Sequence, residues 1–224
     1  PSQTIDYDMK TGNATVLKEQ DVPGYDASQY ECRRVFATAR DGTKVPMSLV
    51  AKKGTMPDAD ATAAASFDKG PRKTLLIGYG SYGMSYDVTF NFKLISLLER
   101  GFICATAHIR GGGEMGKQWH EDHGKYLKKM NTFHDFADCA KHLISTGYTS
   151  SEKLGISGRS AGGLLMGACL NQEPGLYKTC IAGVPFVDVM NTMSDPNIPL
   201  TVGEWEEWGN PNEEKYYEYM KSYS

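Results

Sequence analysis

Ser160 stands at the centre of Gly158-Arg159-Ser160-Ala161-Gly162-Gly163, a Gly-x-Ser-x-Gly spacing that can present a hydroxyl nucleophile for acyl transfer. The apolar run Leu154-Gly155-Ile156-Ser157 precedes it and Leu164-Leu165-Met166-Gly167-Ala168-Cys169 follows, which predicts a strand, a sharp turn and a helix. A serine on such a turn takes strained dihedrals, so the positions two residues to either side must lack side chains that would collide; Gly158 and Gly162 meet that need. A helix beginning after Ser160 directs its free N–H groups and the positive end of its dipole at an oxygen that becomes negative during acyl transfer, with Ala161 N–H as the first donor. Taken alone, the motif leaves open a tight glycine turn with a satisfied serine hydroxyl.

A serine hydroxyl needs a base, normally a histidine oriented by a carboxylate, following in the chain order Ser, Asp, His. All five histidines (His108, His120, His123, His134 and His142) precede Ser160, and Asp188 and Asp195 are the only aspartates after it. Recruiting His108, which ends an apolar strand, would require a foreign triad order. The expectation is therefore that neither the triad Asp nor the triad His is in this chain, and that both belong to a missing C-terminal segment of a larger polypeptide.

Two further clusters invite chemistry. Gly111-Gly112-Gly113-Glu114-Met115-Gly116-Lys117-Gln118 approaches a phosphate-binding loop, yet Gln118 has no hydroxyl to ligate magnesium and Glu114 would repel phosphate. His120 and His123, at i and i+3 without a further ligand set, read as a solvated loop, so neither cofactor nor metal is expected. Glu204, Glu206 and Glu207 surround Trp205, with Trp208 close by; such a charge run is a solvated face unless it lines a pocket.

The elements that must position these residues follow from 224 residues, 40% hydrophobic and 23% charged, enough to bury the core of one ordinary domain with a fragment of a second. A net charge of -3 gives no broad positive field, which argues against nucleic acid or anionic lipid as partner. Neither a membrane span nor a signal peptide is read in the sequence, and five cysteines outside any ligand spacing fit reduced thiols in the cytoplasm.

Thr4 to Asp8 and Ala14 to Leu17 read as a polar hairpin. Arg34 to Ala39 and Lys44 to Val50 flank the turn Asp41-Gly42, with Pro46 suiting an edge strand, and Gly54 to Gly70 reads as a loop. From Lys73 the order becomes strand, helix, strand, helix. Strands are expected at Thr74 to Gly78, Phe102 to His108, Leu154 to Ser157 and Cys180 to Val184. Helices are expected near Phe92 to Arg100, Thr132 to Ser145 and Ala161 to Asn171, with Gly101 and Gly147 as C-caps and a helix-like run at Lys215 to Ser222. This is an α/β pattern with a mostly parallel sheet covered by helices.

Several motifs in order resemble the prolyl oligopeptidase family of serine peptidases, and within it the branch that cleaves after basic residues. They are Gly78-Tyr79-Gly80-Ser81-Tyr82-Gly83, Arg110-Gly111-Gly112-Gly113-Glu114, Asn131-Thr132-Phe133-His134-Asp135-Phe136, the serine turn, Val184-Pro185-Phe186-Val187-Asp188-Val189 and the segment Gly203 to Pro211. The resemblance implies an α/β-hydrolase fold, here incomplete, over residues 30–224. Residues 1–29 would then be a β-propeller remnant and linker.

It further implies that Tyr79 lends its hydroxyl to the oxyanion hole beside Ala161 N–H. Glu204 and Glu206 would form an acidic pocket for substrate Arg or Lys, Phe186 its apolar wall and Tyr82 a further contact. Asp87 would meet the preceding substrate residue, with Thr89 where a second carboxylate is expected. The implied partners are short basic peptides and the remainder of the polypeptide, propeller and C-terminal segment. Two alternatives remain: a proline-specific pocket using Trp205, and a non-catalytic binding module of the same fold.

Overall fold

The computed structural model describes residues 1–57 and 70–224; residues 58–69, most of the expected loop from Gly54 to Gly70, lie outside the described residues. The chain forms β1 (Gln3–Tyr7), β2 (Ala14–Glu19), β3 (Tyr30–Thr38), β4 (Lys44–Lys52), β5 (Thr74–Ile77), α1 (Ile95–Leu98), β6 (Ile103–Ala107) and α2 (Gln118–Glu121). Then come α3 (Met130–Ser145), β7 (Leu154–Arg159), α4 (Ala161–Gln172), β8 (Thr179–Gly183), α5 (Val189–Ser194), α6 (Thr201–Trp208) and α7 (Glu214–Lys221).

Six strands make one mixed sheet in the order β3-β4-β6-β5-β7-β8. The β3–β4 hairpin and the β4–β6 pair are antiparallel, whereas β5, β6, β7 and β8 run parallel through helical crossovers. This is the α/β architecture with a mostly parallel sheet. One sheet face buries Val45, Met47, Leu49, Leu76, Ile103, Ala105 and Ile156 against Phe133, Phe136 and Leu143 of α3 and Leu164, Leu165 and Ala168 of α4. Helix α4 is apolar nearly all round, as its burial requires. Gly101 and Gly147 both take positive φ, 76° and 80°, in the turns that end α1 and α3.

Two sequence expectations shift. Pro46 sits on β4, an interior strand, rather than on an edge. Its carbonyl accepts from His108 N–H at 2.9 Å, so its nitrogen faces the same side, beyond the last ladder pair Met47↔Ala107, where no strand N–H is required. Residues 201–208, for which no element was expected, form α6. Strands β1 and β2 pair as the expected hairpin; among the described residues they join no other strand, and every residue in them is exposed.

Candidate active site

Ser160 closes β7 and caps α4 with φ 58° and ψ −120°, a conformation a non-glycine residue holds only at a cost of about 1–3 kcal/mol. The surroundings over-determine it. Ser160 N–H donates to the Gly183 carbonyl of β8 at 2.9 Å, and its own carbonyl accepts from Gly163 N–H at 2.7 Å. A Cβ at Gly158 would run into the Gly162 carbonyl, and one at Gly162 would stand 2.9 Å from the Gly78 carbonyl. The side chain is thereby left exposed at the head of the helix, and among the described residues Ala161 N–H donates to no acceptor.

A cavity of about 190 Å³ opens beside it, lined by Tyr82, Ser160, Ala161, Phe186, Glu204 and, from residues 192–201, Thr192, Met193, Pro199, Leu200 and Thr201. Its back wall is aromatic. Trp208, fully buried, lies 5.5 Å from Phe186 and 5.9 Å from Tyr82, centroid to centroid. Glu204 reaches the cavity with one oxygen committed: Oε2 accepts from Tyr82 OH and from Trp208 Nε1–H, each at 2.8 Å. Burial, reinforced by the Glu204 carboxylate, pushes the Tyr82 phenol far above its ordinary value, so it remains a donor.

Tyr79 does not line the cavity, but its ring lies over the first turn of α4, where a Cβ on Gly162 would meet its Cδ2 at 3.3 Å, and 6.1 Å from the Tyr82 ring. Burial, with Glu204 and Glu207 nearby, raises its pKa as well and keeps the hydroxyl protonated. Glu206 and Asp87 are not brought to the cavity. Glu206 is exposed and accepts from Tyr126 OH at 3.2 Å, and Asp87 is exposed on the segment after Tyr86. Trp205 does not line the cavity either; its Nε1–H donates at 3.1 Å to the carbonyl of Met193, which does.

Of the five histidines none lines the cavity. His108 Nε2 pairs with Ser48 Oγ at 2.9 Å, and His120 Nε2 with Glu207 Oε2 at 2.6 Å. The glycine-rich run after β6 is followed only by the single turn of α2, and Glu114 Oε1 accepts Tyr86 N–H at 2.9 Å.

Two residues that sequence reasoning left aside sit directly behind this wall. Glu207, read only as part of a charge run, and Lys129, not singled out at all, form a buried pair at 3.1 Å. Burial pulls the lysine down to about 8, against the opposing pull of Glu207. A helical reading of residues 201–208 would have placed Glu204, Glu207 and Trp208 on one face at i, i+3 and i+4 and turned Glu206 outward.

Comparison with known proteins bears on the same residues. Residues 88–224 match the prolyl oligopeptidase family. Dipeptidyl aminopeptidase BI of Pseudoxanthomonas mexicana is 48% identical across 100% of this chain, and Protease 2 of Moraxella lacunata 46%; the chain spans 30% and 31% of their lengths. Oligopeptidase B from Trypanosoma brucei, in a closed form with covalently bound antipain, superposes with a TM-score of 0.91 at 53% identity. Oligopeptidase B from Leishmania major does so at 0.89 and 50%, and these matches cover 100% and 98% of this chain but 30% and 29% of those structures.

Proposed function

This chain belongs to the prolyl oligopeptidase family, and from that premise we propose that the polypeptide containing it is a serine oligopeptidase that cleaves short peptides after Arg or Lys through an acyl-enzyme on Ser160. The observation that carries this reading is the shared cavity: the exposed, strained Ser160 and the doubly anchored Glu204 face one space of about 190 Å³.

In this reading Ser160 Oγ attacks the scissile carbonyl, and the oxygen that becomes negative is met by Ala161 N–H and Tyr79 OH. The guanidinium or ammonium of the substrate lies along Phe186 and pairs with the free oxygen of Glu204, whose other oxygen is taken by Tyr82 and Trp208. Glu206 and Asp87, both exposed, act as outer acidic contacts to basic peptides rather than as the pocket floor. The base that accepts the Oγ proton and the acid that orients it come from the remainder of the polypeptide, which also supplies a β-propeller to which residues 1–29 lead. Residues 30–224 are the catalytic domain, and five free thiols fit a cytoplasmic setting.

The rival proline-stacking pocket lacks its proposed platform, since Trp205 is not among the residues lining the cavity and its Nε1–H is held by the carbonyl of the lining residue Met193. Comparing arginyl and prolyl peptide amides on the full-length protein tests the reading. The expected result is a clear arginyl preference that Glu204→Gln lowers by at least about tenfold in kcat/KM. A prolyl preference, or a Glu204→Gln effect below about twofold, would overturn the pocket assignment.

A further inference from the structure

Between Tyr79 and Gly83 the backbone makes an unusual passage. Gly80, Tyr82 and Gly83 all have positive φ, 74°, 61° and 64°, and Tyr82 carries a bulky side chain in that region. Something must hold it there, and two side chains outside the cavity lining do so. Lys129 Nζ has three N–H donors and three acceptors in reach: the Gly80 carbonyl and Ser81 Oγ at 2.7 Å each, and Glu207 Oε1 at 3.1 Å. Its ammonium also stands 4.8 Å from the centroid of the Trp208 ring. Glu207 Oε1 accepts the Tyr82 N–H at 3.1 Å, and Oε2 is paired with His120.

The lysine and the carboxylate thus grip three consecutive residues, Gly80, Ser81 and Tyr82, and join them to α6, the helix that carries Glu204. Both groups are nearly inaccessible, Lys129 at 1% and Glu207 at 4%. A buried ion pair is an inefficient way to stabilise a fold, because desolvation opposes the Coulomb gain and well-packed apolar residues of the same volume do as well. What an apolar pair cannot do is fix the direction of a carbonyl, a hydroxyl and an N–H in one loop.

We propose that Lys129 and Glu207 are the positioning residues of this site, locking the Tyr79–Gly83 loop to α6 so that the oxyanion hydroxyl of Tyr79 keeps a fixed place about Ser160. The inference rests on the proposed roles of Tyr79 and Glu204. Its consequence is specific: loosening the pair spares ground-state binding of the peptide, which Glu204 and Phe186 dominate, and weakens the interaction made as charge develops on the oxygen.

The test is Lys129→Met in the full-length protein, with turnover of an arginyl amide normalised to the number of Ser160 sites that react with a fluorophosphonate, so that any misfolded fraction drops out. The expected result is a kcat per labelled site at least about tenfold lower with KM within about threefold of wild type. Amide hydrogen exchange should also quicken in residues 79–83, where Tyr82 and Gly83 N–H are now bonded, while β6 stays protected. A kcat per site within about twofold of wild type, a loss confined to KM, or unchanged exchange at 79–83 would each overturn the proposal.

Should Lys129→Met fail to fold, Glu207→Gln preserves volume and is read the same way, with a kcat loss of at least about threefold expected and none overturning the idea. Wild-type failure to cleave arginyl peptides would count against the proposed function instead, and the exchange measurement would still decide whether the pair holds the loop.

Discussion

On the α6 side of Ser160, Tyr82, Glu204, Glu207, Lys129 and Trp208 form a wall in which each of these side chains makes a hydrogen bond or ion pair and Trp208 is fully buried. On the β8 side, Ile181, Val184 and Val187 are 57%, 62% and 43% exposed, and β8 is paired along one edge only. Both sides touch Ser160: Tyr82 and Glu204 share its cavity, and the Gly183 carbonyl holds its N–H. The difference teaches that, in the proposed reading, the oxyanion donors and the specificity pocket are assembled from contacts local to this chain. Among the described residues no histidine lines the cavity, so in the proposed reading the proton-accepting half of the chemistry comes from the remainder of the polypeptide. Exposed aliphatic residues on an edge strand and just after it, beside an exposed Ser160, are the expected signature of a surface covered by the rest of a longer polypeptide, and the relatives are about three times longer.

The largest effect expected from probing this contrast is at the point where the two sides meet. Ser160→Ala in the full-length protein should lower kcat by at least about 10³-fold and abolish fluorophosphonate labelling; a variant that still labels would place the nucleophile elsewhere. Next comes the bare side. Ile181→Asp should destabilise the full-length protein by about 2–4 kcal/mol in denaturant unfolding, because it would bury a charge without a partner. A change within about 0.5 kcal/mol, as for an ordinary surface position, would show that nothing covers β8. The finished side is probed most gently by Tyr79→Phe, which removes one hydroxyl. A kcat loss of about tenfold to a hundredfold with little change in KM is expected in steady-state kinetics, and equal rates would remove Tyr79 from the oxyanion hole.

Much of the scaffold could be read without coordinates because its signals are local. The parallel strands β5, β6, β7 and β8 were each flagged by a short apolar run, and α3 and α4 came within two residues of their observed bounds, since periodicity and glycine caps act over one or two turns. Pro46 misled because the rule about proline concerns which neighbour lacks an N–H partner, and that depends on where β6 stops. Glu206 stands outside the cavity lining for a different reason. In a run of three glutamates the side facing the cavity is set by helical phase, and the turn preceding α6, with Leu200 at φ 76°, carries no sequence mark of where that phase begins.

By itself the sequence determined the nucleophile turn, the order of the elements, the family resemblance and the want of a histidine after Ser160, all of which are properties of neighbouring residues or of simple order along the chain. Only the tertiary structure decided that Glu204 rather than Glu206 reaches the cavity and that Lys129, near the start of α3, meets Glu207 on α6 beneath a strained loop. Those contacts join residues 48 to 125 positions apart. They exist because leaving a buried polar group without a partner is costly, and the partner can lie anywhere along the chain.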